Sequence, residues 1–228
     1  DWPVELHTLF RTENLGCGPA VSGAINWFFD HVEAGIILED DCLPDPTFFS
    51  FCDSLLSKYA DDSRIMHISG TSLIRIKAYE ESYYFSRYEH IWGWATWKRA
   101  WDKYDFELSN YNEKTRLLVS NESKRDMLDK IKGGNFFTWD YQWHFCLLLC
   151  KGICVTPNVS LVENIGYGIG STHTFFRPNW LRKIKYGKID VIRHPKSTMI
   201  CEKADLYLDR IFRRNFVKKW IKKLIGRD

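Results

Sequence analysis

The 228-residue chain has no apolar run that approaches the length needed to cross a bilayer. It has no internal repeat and no low-complexity linker, which leaves one domain with a core of its own, or a domain with an appendage. Its seven cysteines are odd in number and include no CxxC pair. With no secretory leader in the sequence, they point to a reduced, cytosolic compartment. Cys146 and Cys150 fit the buried face of a helix, and Cys154 fits a strand. A basic face built into the fold is also missing. Arg210 to Asp228 holds eight basic residues and one acid, a local charge of +7, so the rest of the chain carries −4 of the total +3. A mildly acidic body argues against a nucleic-acid partner.

Aromatic residues are plentiful, with 10 Trp, 11 Tyr and 15 Phe. Such rings fill a large core, and their flat faces also line sugar and nucleobase sites. "VELHTLF" (Val4 to Phe10) reads as a strand, and "ENLGCGP" as a turn that places Pro19 in a first helical turn. Val21, Ala24, Ile25, Phe28 and Val32 mark one face of the helix that follows, closed by Gly35. "IIL" is expected to be a short, doubly buried parallel strand. Asp45 can cap a helix starting at Pro46 with Phe48, Cys52, Leu55, Leu56 and Tyr59 facing inward, and "RIMHISG" is the next strand. Strand and helix alternate, as in an α/β protein with a parallel sheet.

The stretch "GIILEDDCLPD" runs from that buried strand into three adjacent carboxylates, Glu39, Asp40 and Asp41. Like charges at the edge of a core repel strongly, so either solvent relieves them or something positive binds there. Ligands of open parallel sheets bind outside the carboxyl ends of the strands. Magnesium and manganese take oxygen ligands, commonly one or two carboxylates plus substrate phosphates. The alternative is a solvated acidic loop that only starts the next helix.

Further on, Trp92, Gly93 and Trp94 break any regular period, with a helix expected from about Ala95. A Gly between two Trp lets backbone approach a ligand while the rings stack on it, or it makes a tight aromatic corner in the core. "ESKRDMLDKIKGGN" reads as an exposed helix stopped by Gly133 and Gly134. In "FFTWDYQWHFCLLLCKG", Thr138 can cap a helix that carries Asp140 in its first turn. Asp140 is either a favourable partner of the helix dipole or a general base held on a rigid element. "VENIGYGIGSTHT" is a glycine loop of the kind that closes over substrates, ending in His173.

Taken in order, "GIILEDDCLPDPTFFSF", "ISG", "GWATW", "WDYQW" and "GSTH" resemble the GT-A nucleotide-sugar glycosyltransferases. The nearest groups are the bacterial family 2-like enzymes, with a motif order similar to N-acetylglucosaminyltransferase I. The resemblance covers roughly Pro3 to Phe176. It implies a Rossmann-like, mostly parallel sheet flanked by helices, with residues 1–180 as the transferase domain and 181–228 as a basic extension. It further implies that Asp41 binds a divalent cation (Mn2+ or Mg2+), with His173 as a late metal or diphosphate contact. Glu39 and Asp40 would touch the ribose and donor sugar, Trp94 would lie against the sugars, and Arg11 would reach the nucleotide phosphates. Asp140 would be the base of an inverting transfer. Members of the fold begin with a nucleobase-gripping strand and loop and a further βα unit. The chain opens at "DWPVELHTLF", so an N-terminally truncated version, short by roughly sixty residues, is expected.

In "DRIFRRNFVKKWIKKLIGRD", Phe212, Phe216, Trp220, Ile221, Leu224 and Ile225 share one helical face, with Arg and Lys on the other. Over 210–227 this is either an interfacial helix drawn to an anionic membrane or a helix docked on its own domain. The resemblance thus implies a cytoplasmic enzyme, peripheral to the membrane, that moves a sugar from a nucleoside diphosphate to a glycan or lipid-linked hydroxyl in surface-glycan assembly. The alternative is a non-catalytic sugar- or nucleotide-binding remnant of the fold.

Overall fold

The computed structural model describes residues 3–74, 80–167 and 184–211. Two of the expected elements lie outside them, His173 and the amphipathic stretch from Phe212 onward.

The first helix, α1 (Cys17–Phe29), starts behind Gly16, whose φ of 75° is easy only for glycine. It ends at Asp30, one turn earlier than the expected stop at Gly35. β1 (Ala34–Ile37) follows and ends just before Glu39. After β2 (Cys42–Pro44), Asp45 accepts from Thr47 N at 2.8 Å and caps α2 (Pro46–Lys58) as the sequence predicts. α2 buries Phe48, Phe51, Cys52 and Leu55 completely.

β3 (Ile65–Ser69) is buried at every residue. β4 (Tyr83–Ser86) and β5 (Trp94–Trp97) are also fully buried. The short α3 (Lys98–Trp101) and α4 (Glu113–Arg116) lead to α5 (Glu122–Lys132). α6 (Asp140–Leu149), β6 (Ile153–Pro157) and β7 (Val162–Asn164) follow, and residues 202–211 are helical.

The class is α/β, with helices flanking a five-stranded sheet of order β1-β5-β3-β6-β4 and a separate β2-β7 pair. The large sheet is mixed. Only β3 and β6 are parallel neighbours, and the other three pairings are antiparallel. β1, β3 and β6 therefore share a direction, and their carboxyl ends lie together.

Three expectations are corrected. Val4 to Phe10 is not a strand, because no described strand pairs with it; Val4, Leu6 and Phe10 stand 69%, 79% and 89% exposed. The segment is held instead by His7, whose ring lies 4.9 Å from that of His31 and 6.4 Å from that of Trp27. β1 is not doubly buried but a half-exposed edge strand, paired antiparallel with β5. Finally, "WATW" is strand and not helix. Its four residues complete the ladder between β1 and β3, and the helix waits until Lys98.

Residues 201–208 belong to the same body. Cys201, Ala204 and Leu208 form a core with Ile74, Tyr84 and Tyr88. Asp205 accepts from Ser86 Oγ at 2.6 Å and from Arg87 N at 3.1 Å, and Tyr88 donates its hydroxyl to Asp209. Cys201, Ala204 and Leu208 therefore share a core with residues of the first hundred. No helix among them is long and apolar enough to cross a membrane.

Candidate active site

The acidic triplet lies at the carboxyl end of β1. Glu39 O accepts from Cys42 N at 3.1 Å, so Asp40 and Asp41 form the corner of a tight turn into β2. Pairing of Cys42 with Asn164 holds β2 to β7 and brings the start of the glycine loop to this corner. Ile165 N donates to Asp41 O at 2.8 Å, and a Cβ on Gly166 would collide with the Asp41 carboxylate. The loop backbone thus runs directly over the acid, and a side chain at 166 would push the Asp41 carboxylate aside.

Asp140 comes to the same place from the other side. A Cβ on Gly18 would come 2.9 Å from Thr138 O, so the first turn of α1 abuts the residues that open α6. Thr138 is not the cap of α6, since Trp139 holds that position without a side-chain bond. Thr138 instead donates its hydroxyl to Asp140 Oδ1, and its carbonyl accepts from Gln142 Nε2 at 2.7 Å.

Burial first, then the charges of Asp41, Asp140 and Asp40, push the Glu39 carboxyl up to about 7. Glu39 therefore takes up a proton near neutrality unless a cation relieves it. Burial, then Glu39 and Asp140, also raise the Cys17 thiol, and burial pushes Cys42 up to about 11. Neither sulfur is a thiolate nucleophile at neutral pH.

Beside Asp140 lies a cavity of about 260 Å³. One wall is the connection from β4 to β5, which crosses β6 and β3. His67 Nε2 donates to His90 O at 3.2 Å, and Ser69 Oγ accepts from His90 N at 3.1 Å, fixing that connection to β3. Glu89, His90, Ile91 and Trp92 face the cavity from this side, and Asp140, Tyr141 and His144 from α6.

Behind it is a buried charged cluster that reading the sequence missed. His144 Nδ1 lies 2.7 Å from Glu89 Oε2, and Lys124 Nζ donates to Glu89 Oε1 at 3.2 Å. The Glu89 side chain is 8% exposed and that of His144 5%. Burial alone would raise the Glu89 carboxyl; His144 and Lys124 beside it outweigh burial and hold it well below its usual range. Burial lowers His144. The charges are thus Glu89 and Lys124, with neutral His144 donating its Nδ1–H.

The predicted site residues separate into two groups. Glu39, Asp41 and Asp140 converge, and Asp40 stands exposed at the turn beside them. Trp94 does not face a ligand, because it is 0% exposed and stacked on both His67 and Trp139. Its neighbour Trp92 faces the cavity instead. Arg11 is exposed along α1 beside Gly23, and no described contact joins it to the acids.

Among the described residues no three His, Cys, Asp or Glu side chains are grouped to hold a metal. The donors at the β1 corner are carboxylate oxygens only. That set fits a hard cation held by one or two carboxylates and completed by phosphate and water, not one held by protein alone. The sequence matches no protein-family model, and no curated protein matches it.

Proposed function

We propose that the chain is an inverting, metal-dependent glycosyltransferase of the GT-A type, acting on a nucleoside-diphosphate sugar and a hydroxyl acceptor. The observation that carries this is that Asp41 and Asp140 both act on the Glu39 carboxyl at the end of β1, and that Asp140 also lines a cavity. Asp41, with Glu39, would hold Mn2+ or Mg2+, whose charge offsets that of a departing diphosphate. Asp140 takes the proton of the incoming hydroxyl as its oxygen bonds to the anomeric carbon. The bond from that carbon to the diphosphate oxygen breaks, and the leaving group keeps the electron pair. One base and no covalent intermediate give inversion. Holding both substrates in line is the larger part of the rate gain. Surface-glycan assembly is the setting that suits this activity.

A binding-only protein is favoured by one observation. The groove between α1 and β1 that ends at Glu39 and Asp40 is otherwise lined by Ala, Val, Ile, Phe and Leu, with no donor for a phosphate. Calorimetric titration of uridine and guanosine diphosphates, with and without manganese, separates the two. Metal-dependent binding lost in Asp41→Ala, together with donor turnover lost in Asp140→Asn, is the expected result. Binding without turnover favours the second reading, and no binding overturns both nucleotide readings.

A further inference from the structure

We propose that the cavity beside Asp140 binds one neutral sugar ring, the acceptor unit, with Trp92 and Tyr141 as its stacking faces and Glu89 and Lys124 as the groups that bind its hydroxyls. This assignment of an acceptor rests on the transferase proposed above. At about 260 Å³ the cavity has room for a single sugar ring. Its lining joins aromatic and aliphatic surface to a few polar groups. A pyranose has the matching character, with C–H faces that stack on rings and an equator of hydroxyls that both donate and accept.

The charges decide what kind of ring. Lys124 is matched by Glu89 at 3.2 Å, and Asp140 adds a further carboxylate. His90 and His144 are buried, and burial lowers both, His90 to about 4, so neither adds a positive charge at neutral pH. The cavity is therefore net negative, and a phosphorylated or uronic sugar is repelled. Glu89 spends one lone pair on His144, one on Lys124 and one on its own backbone N–H, which leaves one able to accept from a hydroxyl. His90, 8% exposed, lines the cavity.

The test is saturation-transfer NMR of the full chain with methyl glycosides of neutral hexoses and N-acetylhexosamines, against glucuronate and hexose 6-phosphate, without nucleotide or metal. At least one neutral glycoside is expected to bind. Trp92→Ala and Glu89→Gln should each weaken it by about tenfold or more, the worth of one stacking face or one charge-assisted hydrogen bond. Because Glu89→Gln alters a buried pair, Leu73→Trp at the half-exposed rim serves as a second variant that fills the cavity and should abolish binding. No neutral glycoside bound, preference for an anionic sugar, or binding that survives Leu73→Trp would overturn the proposal. If nucleotide binds with manganese and no sugar does, the acceptor site alone is wrong. If sugar binds and no nucleotide does, the transferase is wrong and the sugar site stands.

Discussion

The indole of Trp94 stacks on that of Trp139, with ring centroids 5.7 Å apart and planes 15° apart. This contact ties β5 to the residue that opens α6, and so sets where Asp140 stands. Trp143, one turn on, is also buried and donates its Nε1–H to His67 Nδ1 at 3.2 Å, while His67 also stacks on Trp94. Rings that look like a sugar platform in the sequence are the support under the site.

Trp94→Ala is accordingly expected to cost stability, by about 3–5 kcal/mol as for other buried aromatic truncations. Trp92→Ala, half-exposed at the cavity, should cost under about 1 kcal/mol. Urea unfolding of the two variants checks this. Equal costs would mean that Trp94 is not the buried anchor.

Gly18 is where α1 meets the start of α6. In Gly18→Ala the new methyl group meets Thr138 backbone atoms at 2.9–3.2 Å, so the two segments must part. Better helix propensity is outweighed, and a net loss of about 1–3 kcal/mol is expected. Because Thr138 bonds Asp140, transferase turnover should fall further than the folded fraction does. Turnover corrected for folded protein is the deciding quantity.

Much of this was legible in the sequence. Asp45 before Pro46, the apolar run of β3 and the Gly133 stop of α5 each carry a local signal, and each formed as expected. The acids after β1 were legible because strand ends are. What failed was tertiary. Val4 to Phe10 alternates like a strand, but a strand needs a partner. "WATW" has no periodicity of its own that separates a buried strand from a helix. Glu89, Lys124 and His144 are 35, 20 and 55 positions apart pairwise, and only the fold joins them. One signal was there to use: a Glu inside the aromatic run "YYFSRYEHIW" must find a partner if it is buried.

That buried carboxylate makes the protein sensitive to acid. Its folded value lies below the unfolded one, so its contribution is present above the ordinary carboxylate range and is lost as pH falls through the folded value. Glu89→Leu removes the buried carboxylate on which Lys124 and His144 both converge and should cost about 3–5 kcal/mol. Adding Lys124→Met should restore most of this and flatten stability below pH ~4. Thermal melts of the single and double variants across pH measure both effects. A double variant no better than the single would mean that Glu89 acts through His144 instead.

The helix over 202–211 is part of the domain by its contacts. Leu208 is 0% exposed against Tyr88 and Ile74, so Leu208→Ala should cost about 2–5 kcal/mol. A chain ended at 183 also uncovers Tyr84 and should lose its cooperative unfolding transition. A truncated chain that unfolds cooperatively, with the stability of the full one, would mean that the contacts of Cys201, Ala204 and Leu208 are not needed for the core.

Glu39 gives the opposite pH dependence. Its folded value of about 7 lies above the unfolded 4.5, so between these the native state binds the proton more tightly. Stability therefore falls as pH rises from 4.5 to 7, and the loss persists above 7. Glu39→Gln removes the charge that burial, Asp41, Asp140 and Asp40 oppose, and should flatten this limb. With Glu39 half-exposed, solvent screening reduces the gain at pH 8 to about 1 kcal/mol. Urea unfolding from pH 4.5 to 8 in metal-free buffer reads this out. A Glu39→Gln variant that keeps the slope would assign it to another group and remove the electrostatic strain ascribed to the β1 corner.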